Sequence, residues 1–533
     1  MKPDQKNLIT LRKITQTISV FLVLFIIWNT RFPLDRFISP AAYFYLDPLV
    51  MITTAVAERV VLFGLIVAGI LIAATALMGR FFCGWICPLG ALLDLLGTLK
   101  KPFMRRSYFR EKNPGKTRFI KYAILSVILA AAFAGFQFAW VLDPIAIFVR
   151  TFSLVIHPLL NNGLNAFFTG LLSSYDLPVL ENVYNLLRDS FLTTDLAALE
   201  NTTEIILLFS VIVLLLLFKR RFWCRYLCPL GAMLAVPARL SPFLRRTRCV
   251  KNCRVCMHTC RMNAITADNR YHREECILCF DCVRDCPDST TYFSFTSPPA
   301  ENIEPENADK DPSLSLYRNG FLRCSFSLGI GLVFLLTMHG KALAAALKPV
   351  SRKLRPPGSL PENEFIQRCI RCGNCMKVCP TGVLKPAPVS MGPDKLWTPF
   401  LDTSRSYCEY NCNLCGRVCP TGAIEKLALD RKKKKVIGVA VINKDLCVPY
   451  KKGIDCIVCE EHCPVSEKAI IVTEKKIKGK KVRLPQVQKK LCIGCGICEI
   501  KCPVEKEKAI KVFPPDYKPG NEHRNNFDEA SAG

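Results

Sequence analysis

Six short cysteine blocks, holding 24 of the 29 cysteines, constrain this chain more than any other feature. Cys276, Cys279, Cys282 and Cys286 are spaced C-x2-C-x2-C-x3-C and followed by proline. Cys369/Cys372/Cys375/Cys379 and Cys492/Cys495/Cys498/Cys502 repeat that spacing. Cys249/Cys253/Cys256/Cys260 and Cys408/Cys412/Cys415/Cys419 stretch the first gap to three residues, and Cys447/Cys456/Cys459/Cys463 stretches it to eight. Three closely spaced thiolates wrap one face of a [4Fe–4S] cube, and the fourth reaches a neighbouring cube. A disulfide framework belongs to small secreted domains and gives no reason for a repeated x2-x2-x3 spacing. Zinc usually takes two separated C-x2-C knuckles. The pattern predicts six [4Fe–4S] clusters, one per block, assembled where thiols stay reduced. The block ending at Cys260 departs slightly, with Arg261 in place of proline.

Half the residues are apolar although the net charge is +28, so the apolar residues must be segregated. They form runs at about Ile14–Trp28, Val60–Met78, Ile120–Leu142 and Ile205–Phe218, with a weaker fifth at Phe321–Ala346. These runs predict an α-helical bundle of four to five transmembrane helices. Lys2, Lys6, Arg12 and Lys13 precede the first run, which reads as an anchor. Basic residues crowd Lys100–Lys121 and Lys219–Arg248, whereas Asp176, Glu181, Asp195, Glu200 and Glu204 mark the loop between runs three and four. The positive-inside rule then places the N-terminus and both basic segments in the cytoplasm, and residues 29–59 and 143–203 outside.

The membrane half is a duplicated two-helix unit. Leu46-Asp47-Pro48-Leu49 recurs as Leu142-Asp143-Pro144-Ile145, and Cys83-Gly-Trp-Ile-Cys87-Pro-Leu-Gly90 recurs as Cys224-Arg-Tyr-Leu-Cys228-Pro-Leu-Gly231. Cysteines four apart share a helix face. Cys83, Cys87, Cys224 and Cys228 therefore suffice for one additional metal centre or for two redox-active dithiols. The plainer reading is structural thiols at helix ends whose turns Pro88 and Pro229 set. Cys324, alone in the fifth run, reads as a packing residue.

The doubled C-x3-C-P-L-G with L-D-P, followed by a two-cluster block pair, resembles the NapH/NosR family of membrane iron–sulfur proteins over residues 10–297. Leu354-Arg-Pro-Pro-Gly-Ser-Leu-Pro361, Glu364-Phe365 and Cys369-Ile-Arg-Cys-Gly-Asn-Cys-Met-Lys-Val-Cys-Pro380 are similar to the opening of NapG/MauM four-cluster ferredoxins, a likeness covering residues 315–515. The domains expected are a membrane domain (1–244), a two-cluster ferredoxin domain (245–297), an acidic proline-containing linker (298–316), a fifth transmembrane helix or degraded twin-arginine signal (317–347), a four-cluster ferredoxin domain (348–515) and a polar tail (516–533). Both cluster regions are expected to be α+β bacterial ferredoxin-like modules. By the bacterial ferredoxin pattern Cys249, Cys253 and Cys256 share a cluster with Cys286, and Cys276, Cys279 and Cys282 take Cys260. In the second module the family suggests nesting, the first block paired with the fourth and the second with the third. Two basic insertions, Arg431–Lys435 and Lys475–Lys481, read as solvated hairpin tips or as docking patches for an acidic partner or anionic lipid.

The resemblance implies a quinol dehydrogenase-type oxidoreductase subunit in the bacterial inner membrane. It would take electrons from the menaquinol or ubiquinol pool to a terminal reductase or cytochrome. Asp47, Asp143, Glu58, Arg59 and His157 are the candidate quinol and proton residues near the outer interface; both aspartates, each before a proline, also read as helix caps. The first ferredoxin module is expected in the cytoplasm. The second is expected outside, beyond the Arg318–Arg323 segment, in which Asn319 replaces the second arginine of an export signal. No binding motif for nucleic acid accompanies the charge. A ferredoxin-linked membrane oxidoreductase and a metal-handling factor of the C-x3-C-P type are the rival readings.

Overall fold

The computed structural model describes residues 4–32, 34, 40–99, 118–174, 178–190, 192, 201–247, 253–265, 271–295, 354–477 and 480–516. The linker, the fifth apolar run, Cys249, Cys324 and residues 517–533 lie outside these. The chain divides into two compact units: Met1–Thr30, Leu34–Leu343 and Glu362–Asn374 form the first, and Arg31–Pro33, Ala344–Pro361 and Cys375–Gly533 the second.

The first unit is helical. Among the described residues, two helices are long and apolar enough to cross a membrane by length and composition, Asn7–Asn29 within α1 (Asp4–Asn29) and the continuous stretch Pro144–Ser174. The other apolar runs form shorter helices. These are α4 (Gly64–Met78), α7 (Ile120–Phe133) and α12 (Thr203–Leu214), the last extended by one tighter turn. The expected span Ile120–Leu142 breaks because Gly135 adopts φ +83° and the chain turns before α8 (Ala139–Leu142). Residues 144–174 depart most from expectation. Phe152–Ile156 and Phe167–Leu172, which lengthen the second repeat, read in sequence as interfacial segments, and His157, Pro158 and Asn161 lie between them. The structure instead buries those three residues within one rod of α9 (Pro144–Thr151), a π turn and α10 (His157–Ser174).

The duplication is visible in three dimensions. Asp47 and Asp143 cap α3 (Pro48–Glu58) and α9, each with proline at the first helical position. Cys87 and Cys228 each donate their backbone N–H five residues back, to Phe82 and Trp223, both at 2.9 Å. This closes two equivalent wide turns ahead of α6 (Pro88–Leu99) and α13 (Pro229–Ala238). The core gathers Phe44, Leu49, Phe82, Phe148, Trp223 and Leu230. Outward faces of α1, α4, α7 and α12 leave Phe21, Ile70, Phe133 and Leu207 largely exposed. Such a continuous apolar exterior is foreign to a water-facing surface.

The same unit carries a small ferredoxin-like lobe. Strands β1 (Leu244–Arg246) and β2 (Tyr292–Ser294) pair antiparallel. The bridge Ile265–Tyr271 stands between the two cysteine blocks of this lobe.

The second unit is built from two-stranded antiparallel sheets: β3 (Leu384–Pro386) with β4 (Pro399–Leu401), β5 (Val439–Ile442) with β8 (Ile510–Phe513), and β6 (Ile470–Ile477) with β7 (Lys480–Val487). The β5–β8 pairing encloses the third and fourth cysteine blocks in one lobe. The described residues of the insertion Lys475–Lys481 pair across the ends of β6 and β7, Lys475 with Val482, Lys476 with Lys481 and Ile477 with Lys480. The insertion at Arg431–Lys435 is not a hairpin tip: it lies in the helix Leu429–Lys434, and buried Lys432 donates to the Tyr410 carbonyl at 3.0 Å and also to that of Glu409.

Candidate metal centres

Three cavities of nearly equal size are each ringed by four cysteines, three from one block and the fourth from another. Cys447, Cys456 and Cys459 are joined by Cys502 around about 370 Å³. Cys492, Cys495 and Cys498 are joined by Cys463 around about 320 Å³. Cys408, Cys412 and Cys415 are joined by Cys379 around about 360 Å³. Similar cages with interchangeable fourth corners fit one repeated object, a thiolate-bound cube. The expected nesting is therefore corrected: the second block takes its fourth corner, Cys379, from the first, and the third and fourth blocks exchange theirs. The reason is local. A two-cluster lobe closes on itself through its own strand pair, β5 with β8, and this needs no partner block from further along the chain.

The cages are wired together. The Cys408 N–H donates to the Cys495 carbonyl at 2.8 Å, joining the Cys408 cage to the Cys495 cage. Burial pushes the Cys495 thiol up to about 11 and the Cys459 thiol up to about 12, so metal coordination has to drive proton loss from these sulfurs. Cys369 and Cys372 are buried in the first unit, while in the second Cys375 is buried and Cys419 half-buried.

In the small lobe, Cys260 lies within electrostatic range of Cys276, Cys279 and Cys282, as the crossed pattern expects. Cys256 and Cys286 converge on neighbouring hydroxyls, Cys256 Sγ 3.9 Å from Thr291 Oγ1 and Cys286 Sγ 3.7 Å from Thr290 Oγ1.

The two C-x3-C-P motifs meet against this lobe. All four sulfurs of Cys83, Cys87, Cys224 and Cys228 fall within mutual electrostatic range. Cys83 and Cys224 pack against Met262, Ile277 and Cys279. A Cβ on Gly84 would sit 2.1 Å from the Ile277 carbonyl oxygen, so only glycine permits this approach. Trp85 Nε1 donates to the Leu278 carbonyl at 3.0 Å.

Two arginines that the sequence reading passed over complete the arrangement. Arg221 donates to the carbonyls of Gly90 and Cys83 at 3.1 and 3.2 Å and doubly to Asp94, both at 2.7 Å. Arg80 donates to Glu275 at 3.3 Å and lies 3.9 Å from Cys83 Sγ. Its Nη2 lies 2.8 Å from where a Cβ of Gly231 would stand. The second motif's final glycine thus leaves room for the guanidinium of the first repeat, while the guanidinium of the second repeat bonds the carbonyl of the first motif's final glycine. The signal was present, since both repeats begin Arg-Phe three residues before the first cysteine, Arg80-Phe81 and Arg221-Phe222. Burial pushes the Glu275 carboxyl up, but Lys121 and Arg80 outweigh it and hold it below the ordinary range.

The five quinol candidates do not converge. Asp47 and Asp143 meet. Glu58 and Arg59 sit at the opposite end of α3, about 16 Å away along eleven residues. There Glu58 pairs with Arg368, and Arg59 is the left-handed cap at φ 59°. His157 is buried edge-on against Trp28, ring centroids 4.6 Å apart.

Known proteins resemble the chain in the same places. Family models match it as a 4Fe-4S binding domain over residues 60–106 and 201–248, a 4Fe-4S dicluster domain over 368–423, and NosR over 247–292. The methylamine utilization ferredoxin-type protein MauM of Methylorubrum extorquens is 36% identical over 198 residues, covering 35% of this chain and 86% of MauM. The ferredoxin-type protein NapG of Escherichia coli is 36% identical over 170 residues, covering 30% of this chain and 71% of NapG. The regulatory protein NosR of Pseudomonas aeruginosa is 28% identical over 247 residues, covering 45% of this chain and 28% of NosR. No solved structure is significantly similar. The dicluster match spans the first and second blocks, which Cys379 links.

Proposed function

The chain belongs to the iron–sulfur ferredoxin-type family of MauM and NapG, and from that premise we propose that it is a membrane-bound quinol dehydrogenase subunit. It takes electrons from menaquinol or ubiquinol and passes them through six [4Fe–4S] clusters to a terminal reductase or cytochrome. The observation that carries this reading is the packing of both C-x3-C-P motifs against Cys279, which joins the apolar helical half directly to a cluster ligand. The exposed apolar faces of α1, α4, α7 and α12 support a multi-pass membrane location.

The ferredoxin lobe beside Cys83 and Cys224 is cytoplasmic, and the second module is outside. The basic segments Lys100–Lys121 and Lys219–Arg248 flank the Cys83 and Cys224 motifs and support the cytoplasmic side for the first lobe, and the fifth apolar run at Phe321–Ala346, taken as a span, supports the outer side for the second module.

The four motif cysteines hold one further cluster. Around them an ion-pair network sets five buried cations (Arg12, Arg80, Lys121, Arg221, Arg261) against three acids (Asp94, Glu275, Asp281). A four-thiolate cluster supplies the missing negative charge. Replacing Cys87 and Cys228 together by serine should lower iron by about four atoms per chain. Unchanged iron would show that these thiols are not cluster ligands.

The function itself is tested by adding menaquinol or ubiquinol to the membrane-embedded protein and recording electron paramagnetic resonance. Reduced-cluster signals are expected. Clusters that dithionite reduces but neither quinol touches would remove the quinol reading and leave a ferredoxin-linked oxidoreductase.

A further inference from the structure

Asp47 and Asp143 hold equivalent places in the two repeats, and they touch. Both are fully buried. Asp47 Oδ1 accepts from the Leu49 and Val50 N–H groups at 3.1 and 3.3 Å, and Asp143 Oδ2 accepts from the Ala146 N–H at 2.6 Å. One oxygen of each carboxyl is thereby committed to a helix end. The other oxygens, Asp47 Oδ2 and Asp143 Oδ1, receive no N–H or O–H donor from the described residues. The two carboxyl groups nevertheless lie in hydrogen-bonding contact with each other. An ionised carboxylate has no hydrogen to give, so this contact requires a proton. Two like charges in contact away from water cannot both persist.

We propose that Asp47 and Asp143 hold one proton between them, and that the pair accepts one of the two protons released when quinol is oxidised. The second half of this statement rests on the quinol reading. Among the described residues, Tyr43 and Arg150 are charged or titratable groups that face the pair. Tyr43 is engaged elsewhere, its hydroxyl donating to the Ile86 carbonyl at 3.4 Å. Arg150 reaches the Trp140 and Arg371 carbonyls at 3.4 and 3.5 Å. It also lies within electrostatic range of both Asp143 and the cluster cysteine Cys372. One guanidinium therefore faces an electron acceptor and a proton acceptor.

The step balances. Quinol loses two electrons, which reduce clusters one at a time, and two O–H bonds break. One proton joins the pair, leaving both carboxyls neutral, and the other passes to the outer aqueous phase. The pair then returns its extra proton outward to restore the shared state.

The test uses full-length protein with aspartate labelled by 13C at the side-chain carboxyl. Infrared spectroscopy should show a protonated-carboxyl C=O band that shifts with the label in the wild type and vanishes in Asp47→Asn and in Asp143→Asn. Asparagine keeps the cap oxygen and its amide donates where the shared proton stood, so both variants should fold and retain full iron. Each should oxidise quinol about 100-fold more slowly. No labelled band in the wild type, or a band that survives either substitution, overturns the shared proton. A band that behaves as expected beside unchanged quinol turnover overturns the acceptor role. A wild type that never oxidises quinol overturns the quinol reading and the acceptor role, while the infrared result still decides the shared proton.

Discussion

Cys502→Ser should abolish the cluster caged with Cys447, Cys456 and Cys459, and leave the cluster of Cys463, Cys492, Cys495 and Cys498 in place. Serine offers a hard oxygen where the cube takes a soft thiolate. The fourth corner opens and iron falls by about four atoms per chain. The reciprocal substitution, Cys463→Ser, should remove the neighbouring cluster instead, although residue 463 belongs in sequence to the Cys447 block. Paramagnetic resonance identifies which signal each variant loses. Cys463→Ser and Cys495→Ser should lose the same signal, and Cys502→Ser and Cys459→Ser the other. If Cys463→Ser loses the signal that Cys412→Ser loses, the pairing is nested and the cages described here are wrong. The consequence for transport is direct. Crossed corners hold the Cys495 and Cys459 cages in one lobe, and the Cys408–Cys495 backbone hydrogen bond leads into it. Emptying the Cys495 cage should therefore stop electrons from reaching the Cys459 cage, even though that cluster remains assembled.

Much of this could be read from the chain because cluster ligation is a local demand. Three cysteines within seven residues state a geometry before any fold exists, and the duplicated L-D-P and C-P-L-G motifs state equivalence of the two repeats. The approach of Cys260 to the Cys276 block was legible for the same reason, the two blocks standing close together in sequence. Choice of the fourth ligand is a tertiary property. Cys502 reaches Cys447 only because β8 returns to pair with β5, and a spacing pattern carries no information about strand pairing. The rod at residues 144–174 was missed on different grounds. The stretch is apolar enough for a span by composition, but Pro158, a residue that usually breaks helices, hides from the sequence that Phe152–Ile156 and Phe167–Leu172 continue as one helix. The Asp47–Asp143 contact was half legible: the cap was readable from Asp-Pro, but the meeting of two caps depends on how the repeats fold together.

Asp94→Asn should be among the most destabilising single substitutions in the membrane half. Asp94 on α6 belongs to the first repeat, yet it carries a doubly hydrogen-bonded Arg221 from the second, and Arg261 of the ferredoxin lobe at 3.1 Å. Gln16 on α1 adds a hydrogen bond at 3.3 Å. Asparagine preserves the shape and removes the charge, leaving the buried Arg221 guanidinium without its acid and Arg261 with Asp281 alone. Removing one partner of a buried pair costs about 3–5 kcal/mol. That is a large share of the stability a folded domain holds in reserve. Arg221 would keep the Gly90 and Cys83 carbonyls, which satisfy its donors without answering its charge. The loss should appear as a lowered thermal midpoint of cluster absorbance, with the signals of the Cys276 cluster going first, since Arg261 docks that lobe. Asp455→Asn is the matched control, because its ion pair with Arg483 at 3.0 Å stands in solvent, where such pairs contribute little. Equal midpoints for the two variants would mean that Asp94 carries no more weight than a surface acid, and the charge-exchange account of the two repeats would fall with it.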